Sequence, residues 1–302
     1  MLTKNRTFTL TWIFALAICI ALAAGIQLKQ SRKVVAQSET AKLAFDLAVS
    51  QNNYVLLEPI PFQFKLANRT NTPITWRGLL MFGSNLDLLI RYENGEEFRW
   101  EGQNRFLGSP ITGFVTLQSG QEIQRKDMLG GSQILEKVFS RPGKYEVRAE
   151  FRYDKNSQSG QRETILSNSV TINIVEPNGV DRQAYNYIKQ VVEPARYRER
   201  ASSELLQLQQ NFLDNYGNSV YAKYIAVEVA SGYKASGENA KAKKELCKIH
   251  DVNFYFSEQV RRSIWEIDAK LNPRVLVELP ENAKVPLVPH PCTGRLVNPH
   301  AL

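Results

Sequence analysis

The sequence predicts a multidomain β-plus-α chain: an antiparallel β-sandwich, then a small α-helical domain, with a hydrophobic helix at the N-terminus. Three observations predict it. The run Arg141–Tyr153 alternates without a break after its Pro-Gly turn. Tyr145, Val147, Ala149, Phe151 and Tyr153 fall on one side, and Lys144, Glu146, Arg148, Glu150 and Arg152 on the other. Strand side chains alternate faces, so this strand has one buried and one wet face, which fits an antiparallel sheet better than a buried parallel one. After Pro177 the apolar period changes to that of a helix. Ahead of both, Phe8 to Ile26 carries no charge. With 302 residues, 43% of them apolar, the chain can bury about two domains.

The leader comes first in the chain. Lys4 and Arg6 precede the apolar run, the arrangement of an export signal. Ala21-Leu22-Ala23 offers a small-x-small cleavage site, and Val34-Val35-Ala36 a second. The run is close to the ~20 residues that a spanning helix needs, so an uncleaved anchor is the competing reading. Residues 1–36 are therefore a signal peptide or a membrane anchor with its linker. Cys19 fills the apolar core of that run, because Ile18 stands where a small residue should precede a lipid-modified cysteine.

Residues 43–176 are strand-rich. Phe45, Leu47 and Val49 alternate, and so do Phe62, Phe64 and Leu66 after the punctuation Glu58-Pro59-Ile60-Pro61. Asn68 to Pro73 is a turn. Leu86, Leu88, Ile90 and Tyr92 form a strand that Asn94-Gly95 folds back into Phe98 and Trp100, since both turn residues tolerate positive φ. Val115 and Leu117 precede the turn Ser119-Gly120. Ile134, Leu135, Val138 and Phe139 lead to Pro142-Gly143, and Val170, Ile172 and Ile174 close the set. Short strands at turn-signalled spacing predict a sandwich or barrel.

Glu58-Pro59-Ile60, the strand into Asn68, Asp87–Ile90 through Gly95 to Trp100, Leu117-x-x-Gly120 and Pro142-Gly143-x-Tyr145-x-Val147-x-Ala149 recur in this order in bacterial immunoglobulin-like domains. The pattern resembles the sandwich type of the BsuPI intracellular proteinase inhibitor over roughly residues 44–175. The resemblance implies an immunoglobulin-like β-sandwich. It also raises protease inhibition, through the loop Arg99–Ile111, as an alternative function. Arg99, Trp100, Arg105 and Phe106 are a candidate interaction surface; the favoured reading is structural, with Trp100 closing the core at a strand end, since large aromatics usually close cores.

Residues 178–270 are helical. Val180, Ala184, Tyr187, Ile188, Val191 and Val192 share one face, and Pro194 is expected to stop that helix. Ala201, Leu205, Leu208 and Phe212 pattern the next. Tyr216-Gly217 caps it and Ser219 begins another, with Tyr221, Tyr224, Ile225 and Val229. Ala242, Leu246 and Ile249, then Phe254, Phe256, Val260, Ile264, Trp265 and Ile267, complete the domain. The stretch from Phe212 through Tyr216-Gly217, Tyr221-Ala222 and Gly237-Glu238 to Leu246 resembles a tetratricopeptide-type hairpin. Tyrosines 185, 187, 197, 216, 221, 224 and 233 would line a peptide groove or edge a core. Residues 271–302, with six prolines, are expected to form an extended or disordered tail.

Chemistry motifs are scarce. The sequence has no Cys-x-x-Cys, no His-Glu-x-x-His, no Gly-x-Ser-x-Gly and no phosphate loop, so no catalytic, cofactor or metal residue is assigned. The net charge is +8, of which residues 1–36 supply five and the remainder three, which argues against a nucleic-acid surface. Cys247 and Cys292 could pair in an oxidising compartment, or stay as thiols. The expected function is that of an exported cell-envelope protein, periplasmic or extracellular and anchored through residues 8–26 if uncleaved. Its role would be non-catalytic protein interaction with an unknown envelope partner. An enzyme with an unrecognised site is the second alternative, and it would need a concave pocket with two or more convergent polar groups.

Overall fold

The structure, a computed structural model, describes residues 43–102, 113–154, 162–198, 203–273 and 288–297. The leader lies outside them, as do Arg105 and Phe106 and most of the loop that follows Arg99. Among the described residues no helix is long and apolar enough to cross a membrane. The protein is a mixed β and α chain, strand-rich first and helical afterwards.

The first sheet has the order β1 (Leu43–Val49), β3 (Ile60–Asn68), β8 (Glu122–Leu129). The second runs β2 (Asn53–Val55), β11 (Val170–Val175), β9 (Gly143–Asp154), β5 (Leu86–Tyr92), β6 (Glu97–Trp100), with β10 (Arg162–Leu166) also on β9. β4 (Ile74–Arg77) and β7 (Phe114–Leu117) make a separate antiparallel ladder. Strand β9 organises the second sheet. Leu86 to Tyr92 line one of its edges, while Val170–Ile174 and then Arg162–Leu166 share the other. Its alternation gives the buried face Tyr145, Val147, Ala149, Phe151 and Tyr153. The Asn94-Gly95 hairpin is present, with Gly95 at φ 88 and Leu88 opposite Trp100.

The two sheets face one another across a core of rings. Phe45 of β1 meets Phe151 of β9 at 6.0 Å between centroids. Phe82, in the loop before β5, stands edge-on between Phe64 at 5.3 Å and Trp100 at 4.9 Å. Trp76 of β4 closes on Phe151 at 5.5 Å. Edge-to-face pairs of this kind add to the large area that aromatics bury. Strand β1 is finished by a side chain: Leu47 N–H donates to Asn168 Oδ1 at 2.8 Å, and Asn168 Nδ2 donates to Leu47 O at 3.0 Å. One amide thus does the work of a neighbouring strand's backbone.

Three local expectations change. Ile134 to Phe139, grouped with the strands, lie instead in and just after helix α1 (Ser132–Val138), whose apolar residues fall at helical spacing on the buried side. On the wet face of β9, Glu150 is buried, because the Arg99 guanidinium pairs with it and with Asp87, its cross-strand neighbour. Pro194 does not end its helix. α2 (Gly179–Tyr187) continues as a π-helical turn, Ile188–Val192, into α3 (Glu193–Arg198). The widened turn just before it accommodates a residue that lacks the N–H of a regular helical bond.

The remaining helices are α4 (Ser203–Tyr216), α5 (Ala222–Ala235), α6 (Asn239–Lys248) and α7 (Ser257–Leu271). Gly237, at φ 80, ends α5. It donates its N–H to Lys234 O, and Glu238 donates to Tyr233 O, the paired bonds of a Schellman stop. Ala226, Ala230, Ala242, Leu246, Val260, Ile264 and Ile267 form the core of α5–α7. Of the tail, residues 288–297 form a short hairpin, β12 (Val288–Pro289) with β13 (Leu296–Val297). Cys247 and Cys292 are joined in a disulfide, with 5.4 Å between Cα atoms, which ties that hairpin to α6.

Candidate binding site at the seam of strands and helices

The site begins with the sequence Leu56-Leu57-Glu58-Pro59, between β2 and β3. Glu58 N–H donates to Val55 O at 2.8 Å, which closes a tight turn, and Leu57 within it takes φ 68. A leucine in the left-handed region is strained, at a cost on the order of 1–3 kcal/mol, and persists only where the surroundings hold it. Here helix α5 and its approach hold it. Tyr221 Oη donates to Leu56 O at 2.7 Å and Tyr224 Oη to Pro59 O at 3.4 Å. Between them Lys223 Nζ reaches Glu58 Oε1 at 3.3 Å. The other carboxylate oxygen of Glu58 accepts from Val55 N–H at 3.1 Å. The buried carboxylate is therefore paired and hydrogen-bonded, as a buried charge must be.

Burial first, and then the Glu58 charge, push the Tyr224 hydroxyl well above the usual phenol range. Tyr221 moves the same way, mainly through burial, with Asp181 and Glu58 adding to it. Both phenols stay protonated and act as fixed donors to the turn. The seam between the strand-rich and helical parts is thus built from directional bonds.

Beside this knuckle lies a cleft of about 400 Å³. One wall is the outer face of the first sheet, with Pro61 and Gln63 of β3 and Lys126 of β8. The opposite wall is Lys223, Tyr224 and the loop Asn253–Tyr255; Ser50, Gln51 and Tyr54 close one end. The rings are packed among themselves: Tyr224 stands edge-on to Phe254 at 5.7 Å, and the Lys223 ammonium lies 5.0 Å from the Tyr224 centroid. Tyr255 Oη reaches across to Lys126 O at 3.4 Å. A concave space of this size with several polar groups meets the geometric condition for a ligand site.

The residues singled out in the sequence fall elsewhere. Trp100 is 5% exposed and packs on Phe82, so it closes the core and offers no surface to a partner. Arg99 is half-exposed and engaged. Its guanidinium donates to Asp87 Oδ2 at 3.0 Å and to Glu150 Oε1, and Arg152 also reaches Asp87 at 2.8 Å. Arg105 and Phe106 lie outside the described residues. Tyr187 and Tyr216 pack on Phe212 at 6.0 and 5.4 Å as core edge, while Tyr221 and Tyr224 serve the seam. Glu58, Lys126, Lys223 and Tyr54 carried no local signal. The nearest hint was Glu58 before Pro59, read as punctuation and as part of the immunoglobulin-like pattern. No group of three or more His, Cys, Asp or Glu among the described residues is placed to hold a metal ion.

No family model matches the chain, and no curated protein matches it. Solved structures with partial similarity include a β-glucosidase from Erythrobacter marinus. It is 15% identical over 44% of this chain and 15% of that one, with a TM-score of 0.26. The C-terminal domain of Wzt is 13% identical over 45% of this chain and 75% of that domain, at 0.30. The sporulation control protein Spo0M of Bacillus subtilis is 18% identical over 50% and 56%, at 0.28. Likenesses this slight carry no argument about fold or activity.

Proposed function

We propose that this is an exported cell-envelope protein with a non-catalytic protein-interaction role. In this reading residues 43–176 form an immunoglobulin-like β-sandwich, residues 178–270 a helical domain, and the seam cleft between them is the contact surface. The observation that carries it is the seam itself. A strained Leu57, a buried Glu58 carboxylate paired with the half-buried Lys223, and two buried tyrosine donors fix the two cleft walls to each other. Strain of this kind clusters at ligand clamps and functional sites. Export is supported by Lys4 and Arg6 before the apolar run, and by a disulfide of the sort that persists in oxidising compartments.

The enzyme reading shares the cleft. Glu58, however, accepts from Val55 N–H and pairs with Lys223, which makes this carboxylate a clamp in the present geometry. The interaction reading is tested by mild cross-linking of the native protein in its envelope, solubilisation and recovery. A single stoichiometric partner, lost when the cleft rim is altered, is the expected result. Recovery of the protein alone sinks the reading.

A further inference from the structure

We infer that the seam cleft binds an acidic peptide segment, with a ligand carboxylate held between Lys126 and Lys223. The inference rests on the interaction reading above and adds the chemistry of the partner. It follows from an inventory of what the cleft has already used. The one charged acceptor on its walls and the Tyr54 phenol are engaged internally. Glu58 accepts from Val55 and Lys223, and Tyr54 Oη shares a hydrogen bond with Ser50 Oγ at 3.3 Å. The phenols of Tyr224 and Tyr255 are turned to backbone carbonyls, so their rings are what remains to line the space.

What remains open is donor-rich. Lys223 uses one of its three ammonium N–H groups on Glu58. Lys126 is exposed on β8, and no described carboxylate pairs with it. Two ammonium groups against one carboxylate leave the lining with one net positive charge. The side-chain amides of Gln51, Gln63 and Asn253 add hydrogen-bonding groups suited to a peptide backbone. The charge left over on the lining is positive, which favours a ligand carboxylate over a neutral sugar. About 400 Å³ is room for a few residues of extended chain beside the tyrosine rings.

The test uses the full chain in mild detergent and ligand-observed saturation-transfer NMR. Three probes are titrated: acetyl-Glu-Asp-Glu-amide, its isostere acetyl-Gln-Asn-Gln-amide, and acetyl-triglycine with a free C-terminal carboxylate. The acidic tripeptide is expected to bind, and the isostere about tenfold more weakly. Triglycine binding as tightly as the acidic tripeptide would assign the carboxylate to a chain terminus instead of a side chain, within the same site. Lys126→Glu, on the exposed rim, should abolish binding, and Lys126→Met should weaken it while leaving the near-UV spectrum unchanged. Equal binding of the isostere, or undiminished binding by both variants, overturns the inference. If no probe binds while the envelope partner is still captured, the ligand assignment falls and the interaction role stands. If the probes bind as expected but no partner is captured, the role falls and the site stands.

Discussion

The strand-rich and helical parts solve the same problem of burial with different means. The first fills its core with large rings, Phe45, Phe62, Phe64, Trp76, Phe82 and Phe151, brought together by ladders between strands far apart in sequence. The second packs aliphatic side chains, Leu246, Ile249, Val260, Ile264 and Ile267, against three alanines, Ala226, Ala230 and Ala242. Alanines let helices approach closely but remove little apolar area each. The helical part makes up the difference with a disulfide across 45 residues and with three side-chain bonds from residues 221–224 to the turn before β3. The comparison teaches that the strand-rich core holds itself, while the helices depend on a staple and a dock.

The largest expected effect tests the first half of that statement. Phe151→Ala removes a fully buried ring that touches Phe45, Trp76 and Tyr153, and should cost about 3–5 kcal/mol in urea unfolding. Because the helices dock on the turn before β3, their circular dichroism should be lost in the same transition. A separate, unshifted helical transition would break the comparison. Cys292→Ser comes next. Opening the staple should cost about 2–4 kcal/mol. Its signature should be confined to Trp265, on α7, and leave the indole signals of Trp76 and Trp100 in place. Equal disturbance of all three would mean that the staple serves the whole molecule.

Asn168→Ala removes both bonds of the amide that finishes β1 and leaves the Leu47 N–H and C=O without it, for about 1–3 kcal/mol. Hydrogen exchange should quicken at Leu47 and its β1 neighbours and not in α5. The smallest effect is acid sensitivity of the stapled hairpin. His290 faces His250, with ring centroids 5.4 Å apart, and Asp251 and Lys243 lie near; its Nδ1 accepts from Cys292 N–H. Burial first, then the His250 charge, hold its protonation below the ordinary 6.5. The unfolded chain therefore takes up a proton first, so stability is full above about 6.5 and declines as pH falls below it. His290→Asn should flatten that slope in thermal melts, and an unchanged slope would remove the histidine from the account.

Much of the local structure was legible in the sequence. The buried face of β9, the Asn94-Gly95 hairpin and the change of period after Pro177 all follow from neighbours along the chain. Helix α1 was not, because a seven-residue run is too short for its period to speak clearly. Nor was continuation through Pro194, where a π-helical turn overrides the local rule. The seam was hidden for a different reason. Lys223 and Glu58 are 165 residues apart, and neither stands in a pattern that marks it.

The sequence by itself determined which residues of β9 alternate, where the Asn94-Gly95 hairpin turns and where the period changes after Pro177, because those choices depend on backbone geometry over a few residues. Tertiary structure alone decided that Glu150 is covered, that Cys247 meets Cys292, and that Glu58, Lys126 and Lys223 border one cleft. The fate of a polar group or a thiol depends on what packs against it, and those partners come from chain far away. Periodicity sets which face is buried, while only packing sets the company that each buried group keeps.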